Sequence, residues 1–252
     1  MLDAFRGASF WSYLAWHDIR IRYRHSRIGP FWITLSTAIF CLAIALVFSR
    51  LFNAEVAELL PFVAIGSVLW GFISGVIGYM PNAYVANAGY VKNMRINLIT
   101  ILLRAICGEL IVLLHHLLIV VAIYIYYGIW PGWAGLMAVP GLLLVSLNLL
   151  SVGITLSLLG ARYRDVAQMT QSVLQVAIFV TPIFWLPRLV PEGHWILVLN
   201  PFVHLLDLVR SPLLGSLPKL TSWFAGLGML AVTAGIAALA YRIGRNRVAL
   251  WV

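Results

Sequence analysis

His17–Trp32 reads HDIRIRYRHSRIGPFW. Wound as a helix with the residues before it, the segment puts Phe10, Leu14, Ile21 and Ile28 on one stripe. Arg20 and Arg27 flank that stripe on one side and Arg22 on the other. Such a helix sinks its apolar stripe into the acyl boundary of a bilayer while its guanidinium groups reach lipid phosphates. Gly29 and Pro30 end it, and Pro30 suits the first position of a new helix. Read this way, residues 1–29 lie along a membrane surface and the chain then turns and dives. Arg20, Arg22, Arg24 and Arg27 become candidates for drawing in an anionic head group. The same residues also fit a polybasic flank that only sets topology, and the stretch alone leaves both readings open.

Composition agrees with a membrane. Of 252 residues, 62% are hydrophobic and 10% charged, and the mean hydropathy is +0.97. A soluble domain carries about 25% charged residues. The net charge of +9 sits between apolar runs, where topology explains it better than nucleic acid does. Cys41 and Cys107 lie in apolar surroundings and make neither a disulfide framework nor a metal spacing. The first apolar run exceeds a signal-peptide core, so an uncleaved first span is expected. No stretch matches GxxxxGK[ST]. This chain is therefore expected to bind no cofactor, and any ATP and Mg would be used by a partner.

An all-α membrane fold with six spans is predicted, at about 30–51, 59–80, 109–128, 133–159, 167–186 and 223–242. Arg6, Arg20, Arg22, Arg24 and Arg27, then Lys92 with Arg95, Arg162 with Arg164, and Arg242, Arg245 and Arg247 fall on one side. Arg50, Arg188, Arg210 and Lys219 fall on the other. The imbalance predicts both termini in the cytoplasm.

Polar residues inside the runs mark where the chemistry lies. Span one has Ser36, Thr37 and Cys41 as its small residues. Gly71 and Gly75 in span two make a G-x-x-x-G, the spacing that lets helices approach closely, within one chain or between two. Arg104 and Glu109 stand at the entrance of span three. Glu109 and His116, seven apart, share a face, which fits either a proton relay or a histidine hydrogen-bonded between helices. Asn148, Ser151 and Thr155 lie on one face of span four, with Gly153, Ser157 and Gly160 on another. Packing and a hydrophilic path both explain them. Span five gives the clearest pathway signal. Gln168, Gln171 and Gln175 recur at three and four residues, and Phe179 continues the face. Unsatisfied amides cost several kcal/mol in lipid, so this face is expected toward a bundle interior or an aqueous channel. With Phe184 and Trp185, it suits a sugar chain, since amides bond hydroxyls and rings stack on pyranose faces. Interhelical hydrogen bonding is the simpler alternative. Thr181 and Pro182 are expected to kink its end.

Two connectors are unusual. Residues 81–97, PNAYVANAGYVKNMRIN, are polar and long enough for a short helix. Tyr84, Asn87, Tyr90, Lys92 and Arg95 suit docking to a soluble partner, or merely a solvated link. Residues 188–222 are too apolar to be free in water. Asn200 is an N-cap with Pro201 at the first helical position, and His204, Asp207 and Arg210 add polarity to one or two short helices dipping into the outer leaflet.

RIRYRHSRIGPFW, then GARYRDVAQMTQSVLQVAIFVTPIFW, then LNPFVHLLDLVRSPLLG together resemble, in that order, the ABC-2-type permeases that export lipid-linked polysaccharides such as O-antigen, capsule or teichoic acid. The resemblance implies a homodimer in a bacterial inner membrane, joined to two ATP-binding subunits. It implies that the N-terminal helix shapes a lateral portal for the lipid-linked glycan, and that residues 85–95 couple to the ATPase. Trp32, Trp70, Tyr79, Phe179, Phe184 and Trp185 would line the sugar path with the glutamines. Asn200, Pro201, His204, Asp207 and Arg210 would gate its outer mouth.

Rival classes are weaker. A membrane-embedded glycosyl- or acyltransferase needs an acid pair or metal cluster, and Glu109 with His115 or His116 is the one constellation on offer. A scaffold has no use for a glutamine stripe. Within transport, export of a drug or other small amphiphile is the nearest alternative.

Overall fold

The computed structural model describes residue 13 and residues 15–17, 31–93, 97–191 and 193–252. Among these, all regular structure is helical. The helices are α1 (Phe31–Phe52), α2 (Val56–Tyr79), the short α3 (Ala83–Ala86) and α4 (Ala88–Asn93), α5 (Leu98–Tyr127) and α6 (Ala138–Arg162). Then come α7 (Asp165–Val180), the short α8 (Trp195–Leu199), α9 (Pro201–Leu213), α10 (Leu220–Gly244) and α11 (Val248–Trp251). Five stretches are long and apolar enough to cross a bilayer: Thr34–Phe52, Val56–Ala86, Leu98–Tyr127, Gly132–Arg162 and Leu220–Gly244. The protein is a multi-pass helical membrane protein.

Two of the expected spans need correction. The third starts at Leu98 rather than Glu109. Asn97 caps it, its side-chain oxygen accepting from the Ile99 N–H at 3.1 Å. Arg104 interrupts the apolar window but not the helix. The helix ends at Gly128, whose φ of 66° is left-handed and therefore favours glycine. The fifth expected span is not a membrane-length helix. Helix α7 has 16 residues, about 24 Å at 1.5 Å per residue, against a hydrocarbon core of about 30 Å. Thr181 leaves helical geometry at φ −88°, ψ 137°. Pro182 follows it and brings no N–H, so the chain stops rather than kinks.

Helix α2 is the hub, and α1, α5, α6, α7 and α9 all pack on it. It is buried along most of its length, with Leu59, Val63, Ile65, Ile73 and Val76 in the core. Among the described residues, helix α10 packs one side mainly against α6 and α9, with Tyr241 also against Ile99 and Leu103 of α5. Its other side shows Phe224, Val232, Leu239 and Ile243, as α1 shows Ile39, Phe40, Leu46 and Val47. Such faces are stable against lipid tails and costly against water.

Helix α6 holds the bundle through small residues. A methyl group on Gly160 would collide with the Pro81 carbonyl, and one on Gly141 with the Leu208 carbonyl. Backbone therefore meets backbone at both places. Between them, Asn148 donates to the Leu144 and Gly226 carbonyls at 3.0 and 3.1 Å. Ser157 lies 2.8 Å from the Met80 carbonyl. The polar residues of span four thus serve packing: Asn148, Ser151 and Ser157 are all buried.

The backbone after α7 is irregular yet buried. Asn200 performs two tasks: it caps α9 by accepting from the Phe202 N–H, and it donates to the Thr181 hydroxyl, both at 3.0 Å. Arg210, 5% exposed, donates to the Pro182 carbonyl at 2.6 Å and lies 4.1 Å from the Phe62 ring centre. Helix α9 is therefore the lid that satisfies the polar groups freed where α7 breaks.

Candidate functional site

Two hollows follow the open side of α2. The first is a groove of about 310 Å³ between α1, α2 and the end of α7. Ser36 and Thr37 border it from α1, Ser67 and Gly71 from α2. Aromatic walls come from Phe40, Trp70 and Phe184. Phe40 meets Phe184 edge-on at 5.8 Å, and Trp70 meets Phe202 of α9 edge-on at 5.2 Å. Phe184 and Trp70 are thus each held by an edge-on ring contact while lining the groove. Hydroxyls beside fixed rings at membrane depth form a surface that can hold an amphiphile or a sugar without ionising anything.

The G-x-x-x-G divides its work. An added Cβ on Gly71 would meet nothing within 4 Å, whereas one on Gly75 would lie 2.7 Å from a Glu109 carboxylate oxygen. Gly75 is thus covered by α5 and Gly71 is left to the groove. Glu109 also lines the second hollow, about 160 Å³, with Tyr79, Asn87, Arg104 and Ala15. His116 addresses a different neighbour, lying 3.4 Å from the Thr37 hydroxyl. His115 bonds back to the Ile111 carbonyl at 2.7 Å. The face shared by Glu109 and His116 therefore serves two separate contacts.

Gln168, Gln171 and Gln175 are all exposed on α7, with Phe179 69% exposed beside them. Gln168 and Gln175 face away from the interior of this chain's own bundle. Gln171 alone reaches back, to the Gly78 carbonyl at 3.3 Å. The inward face of α7 is instead Thr170 and Leu174. Trp185 is half-buried, its indole N–H donating to the Phe179 carbonyl at 3.1 Å. Trp32 is exposed on α1 and Tyr79 at the end of α2.

The polar connector forms α3 and α4, which prolong α2. Asn82, Ala86, Gly89, Tyr90 and Lys92 are exposed. The other side is built into the bundle, with Met80, Ala83 and Tyr84 fully buried. Tyr84, expected among the docking residues, is instead a core side chain, because it sits on the face of α3 that packs against α5 and α6. Asn87 also turns inward, donating to the Ala83 carbonyl at 2.8 Å and to the Tyr79 hydroxyl at 3.0 Å. Helix α11 meets both α4 and α6, which gathers Lys92, Arg162, Arg164 and Arg247 at one basic end. There Arg162 lies over the Tyr163 and Trp251 rings at 5.1 and 5.6 Å. The other end carries the bidentate pair of Arg188 with Glu58, both contacts at 2.7 Å.

In the expected gate, Asn200 and Arg210 support the break after α7, and Pro201 opens α9. His204 lies 2.9 Å from the Val198 carbonyl, and Asp207 accepts from Ser211 and from the Lys219 N–H. Burial pulls the Arg210 pKa down to about 10, and Asp207 pushes back. Arg210 is therefore still a cation at neutral pH. Its receivers, Phe62 and Gly66 on α2, were not legible in the sequence, since nothing in an apolar helix marks which ring will take a cation. Arg20, Arg22, Arg24, Arg27 and Arg95 lie outside the described residues.

Comparison with known proteins gives a consistent result. Residues 10–214 match the family model described as ABC-2 type transporter. An O-antigen export system permease protein RfbA of Klebsiella pneumoniae is 20% identical over 192 residues, covering 75% of this chain and 74% of that protein. An O-antigen export system permease protein RfbA of Myxococcus xanthus is 22% identical over 197 residues, covering 77% and 75%.

Proposed function

The chain belongs to the ABC-2 type transporter family, and from that premise we propose that it is the permease subunit of an ATP-driven exporter of a lipid-linked polysaccharide. Its place is the bacterial cytoplasmic membrane, with both termini and the 83–93 segment on the cytoplasmic side. The family implies a transport role beside ATP-binding subunits. The finer reading is two copies of this chain with two such subunits, in which ATP and Mg are used by the partners and the glycan passes between the copies.

One observation carries the substrate class: the groove beside Gly71, where hydroxyls and rings line a membrane-buried surface, next to a helix whose Gln168 and Gln175 face away from the chain's own core. That arrangement matches a carbohydrate, whose hydroxyls need amide and hydroxyl partners and whose ring faces need aromatic ones. The names of both relatives point the same way. Arg20, Arg22, Arg24 and Arg27 are the proposed recruiters of the anionic head group. Exposed Tyr90 and Lys92 belong to the proposed docking face for the ATP-binding subunit.

The test is complementation of a chromosomal deletion, scored by glycan at the cell surface, with co-purification of the ATP-binding subunit and vanadate-sensitive hydrolysis scored in parallel. Gly71→Trp places an indole in the groove from a position where an added Cβ meets nothing within 4 Å. It is expected to leave the ATPase-bearing complex intact and abolish surface glycan. Full surface glycan with the groove filled would refute the pathway assignment.

A further inference from the structure

The segment expected to dock the ATP-binding subunit is joined to the groove by a continuous set of side-chain contacts. Helix α2 runs into α3 through one turn of 3-10 helix, Met80–Asn82, so there is no slack loop between the groove wall and the docking face. Asn87 stands where α3 gives way to α4. Its amide donates two turns back, to the Tyr79 hydroxyl at the end of α2, and one turn back, to the Ala83 carbonyl. Its own carbonyl accepts from the Tyr90 and Val91 N–H groups, opening α4. One residue thus fixes the angle between α4 and α2.

Arg104 supplies the second tie. It projects from α5 and lies 5.9 Å from the Tyr90 ring centre on α4. It also shares the 160 Å³ hollow with Tyr79, Asn87 and Glu109. Glu109, five residues along α5, covers Gly75, one turn below the open Gly71. A tilt of α4 therefore reaches α2 through Asn87 and α5 through Arg104, and the two helices converge at Gly75. The neighbouring surfaces give no freedom of their own: Ser157 and Gly160 of α6 seat Met80 and Pro81 from behind, and α11 backs α4.

We propose that Asn87 and Arg104 are positioning residues that form the joint carrying movement of the docked ATP-binding subunit from α4 into the groove wall. The proposal rests on the permease reading above. It predicts uncoupling: with the joint cut, the partner still docks on the exposed face and still hydrolyses ATP, but the groove no longer responds.

The experiment uses the full complex with its ATP-binding subunits, in a background where Cys41 and Cys107 are replaced by alanine and Gly71→Cys places a thiol in the groove. N-ethylmaleimide labelling rates are compared without nucleotide and after trapping with ATP and vanadate. The unaltered joint is expected to give a nucleotide-dependent rate ratio. Asn87→Ala and Arg104→Gln should each shrink it by about fivefold, the low end of an ordinary coupling between sites. ATPase activity and subunit stoichiometry should stay unchanged, and Arg104→Lys, which keeps a cation over Tyr90, should recover part of the response. A full ratio in both variants overturns the joint. So does a fall in hydrolysis or assembly that parallels the fall in ratio, because that is a structural role. A nucleotide-insensitive ratio with the joint intact also overturns it, as nothing then crosses. If no ATP-binding subunit accompanies the unaltered chain, the permease reading itself fails.

Discussion

Arg210→Met tests whether the irregular backbone after α7 depends on one buried cation. Methionine keeps a flexible apolar stem of comparable reach and removes the charge. Three interactions are lost together. The guanidinium donates to the Pro182 carbonyl at 2.6 Å, stands 4.1 Å from the centre of the Phe62 ring and is attracted to Asp207. A hydrogen bond from a charged donor is worth about 1.5–3 kcal/mol and a desolvated cation–π contact about 2 kcal/mol. The variant also escapes the desolvation of a buried cation, which offsets part of that loss. A net destabilisation of roughly 2–4 kcal/mol is the balance of these figures. It should be local first, since the Pro182 carbonyl loses its donor and α9 loses its seat on α2.

The assay is thermal unfolding in mild detergent together with limited proteolysis across residues 188–219. Arg210→Met is expected to melt lower and to be cut in that segment well before the helices open. Phe62→Leu leaves the cation without its ring and should give a smaller shift of the same kind. The double variant should cost less than the sum of the two, by about 1–2 kcal/mol of shared energy. An Arg210→Met protein that melts with the parent and resists protease equally would refute the reasoning.

Three other perturbations separate packing from pathway. Gly160→Ala drives a methyl group into the Pro81 carbonyl and should cost about 1–3 kcal/mol or more, read as lost yield of folded protein. Asn148→Leu removes the side-chain hydrogen bond from α6 to the Gly226 carbonyl of α10, which keeps its own helical N–H partner, so the loss is the ordinary one of about 0.5–1.5 kcal/mol, measurable as a lower melting point. Glu58→Gln breaks the exposed pair with Arg188 and should change stability by no more than about 1 kcal/mol, with little effect in high salt.

What could be read from the sequence was what depends on neighbours within one turn. The Asn200–Pro201 start of α9 was legible because a cap and its proline are local. The glutamine stripe of α7 was legible because helical spacing alone puts three amides on one side. Asn97 carries a cap signal of the same kind, but Arg104 broke the apolar window and hid the first turns of α5. Tyr84 shows the other limit. Its ring is amphipathic, so composition puts it at a polar surface, and only the packing of α3 on α5 and α6 turns it into the core. Arg210 is further still from local information, since its carbonyl partner is 28 residues away and its ring partner is on another helix.

The short α7 and its exposed amides have one physical explanation. A 16-residue helix leaves the far part of its crossing to non-helical backbone, and such backbone is stable at membrane depth only where protein or water covers it. Helix α9 covers one side of that break through Arg210 and Asn200. On the other side the open face carries Gln168, Gln175 and Phe179, and lipid tails offer those amides no partner. Whatever covers that face must be polar, which leaves a hydrated path or another chain. On the function proposed above, two copies facing each other across a hydrated path would supply both and would set the grooves beside Gly71 on the walls of a common channel. The feature that disqualifies α7 as an independent span is thus the one that suits it to line a path.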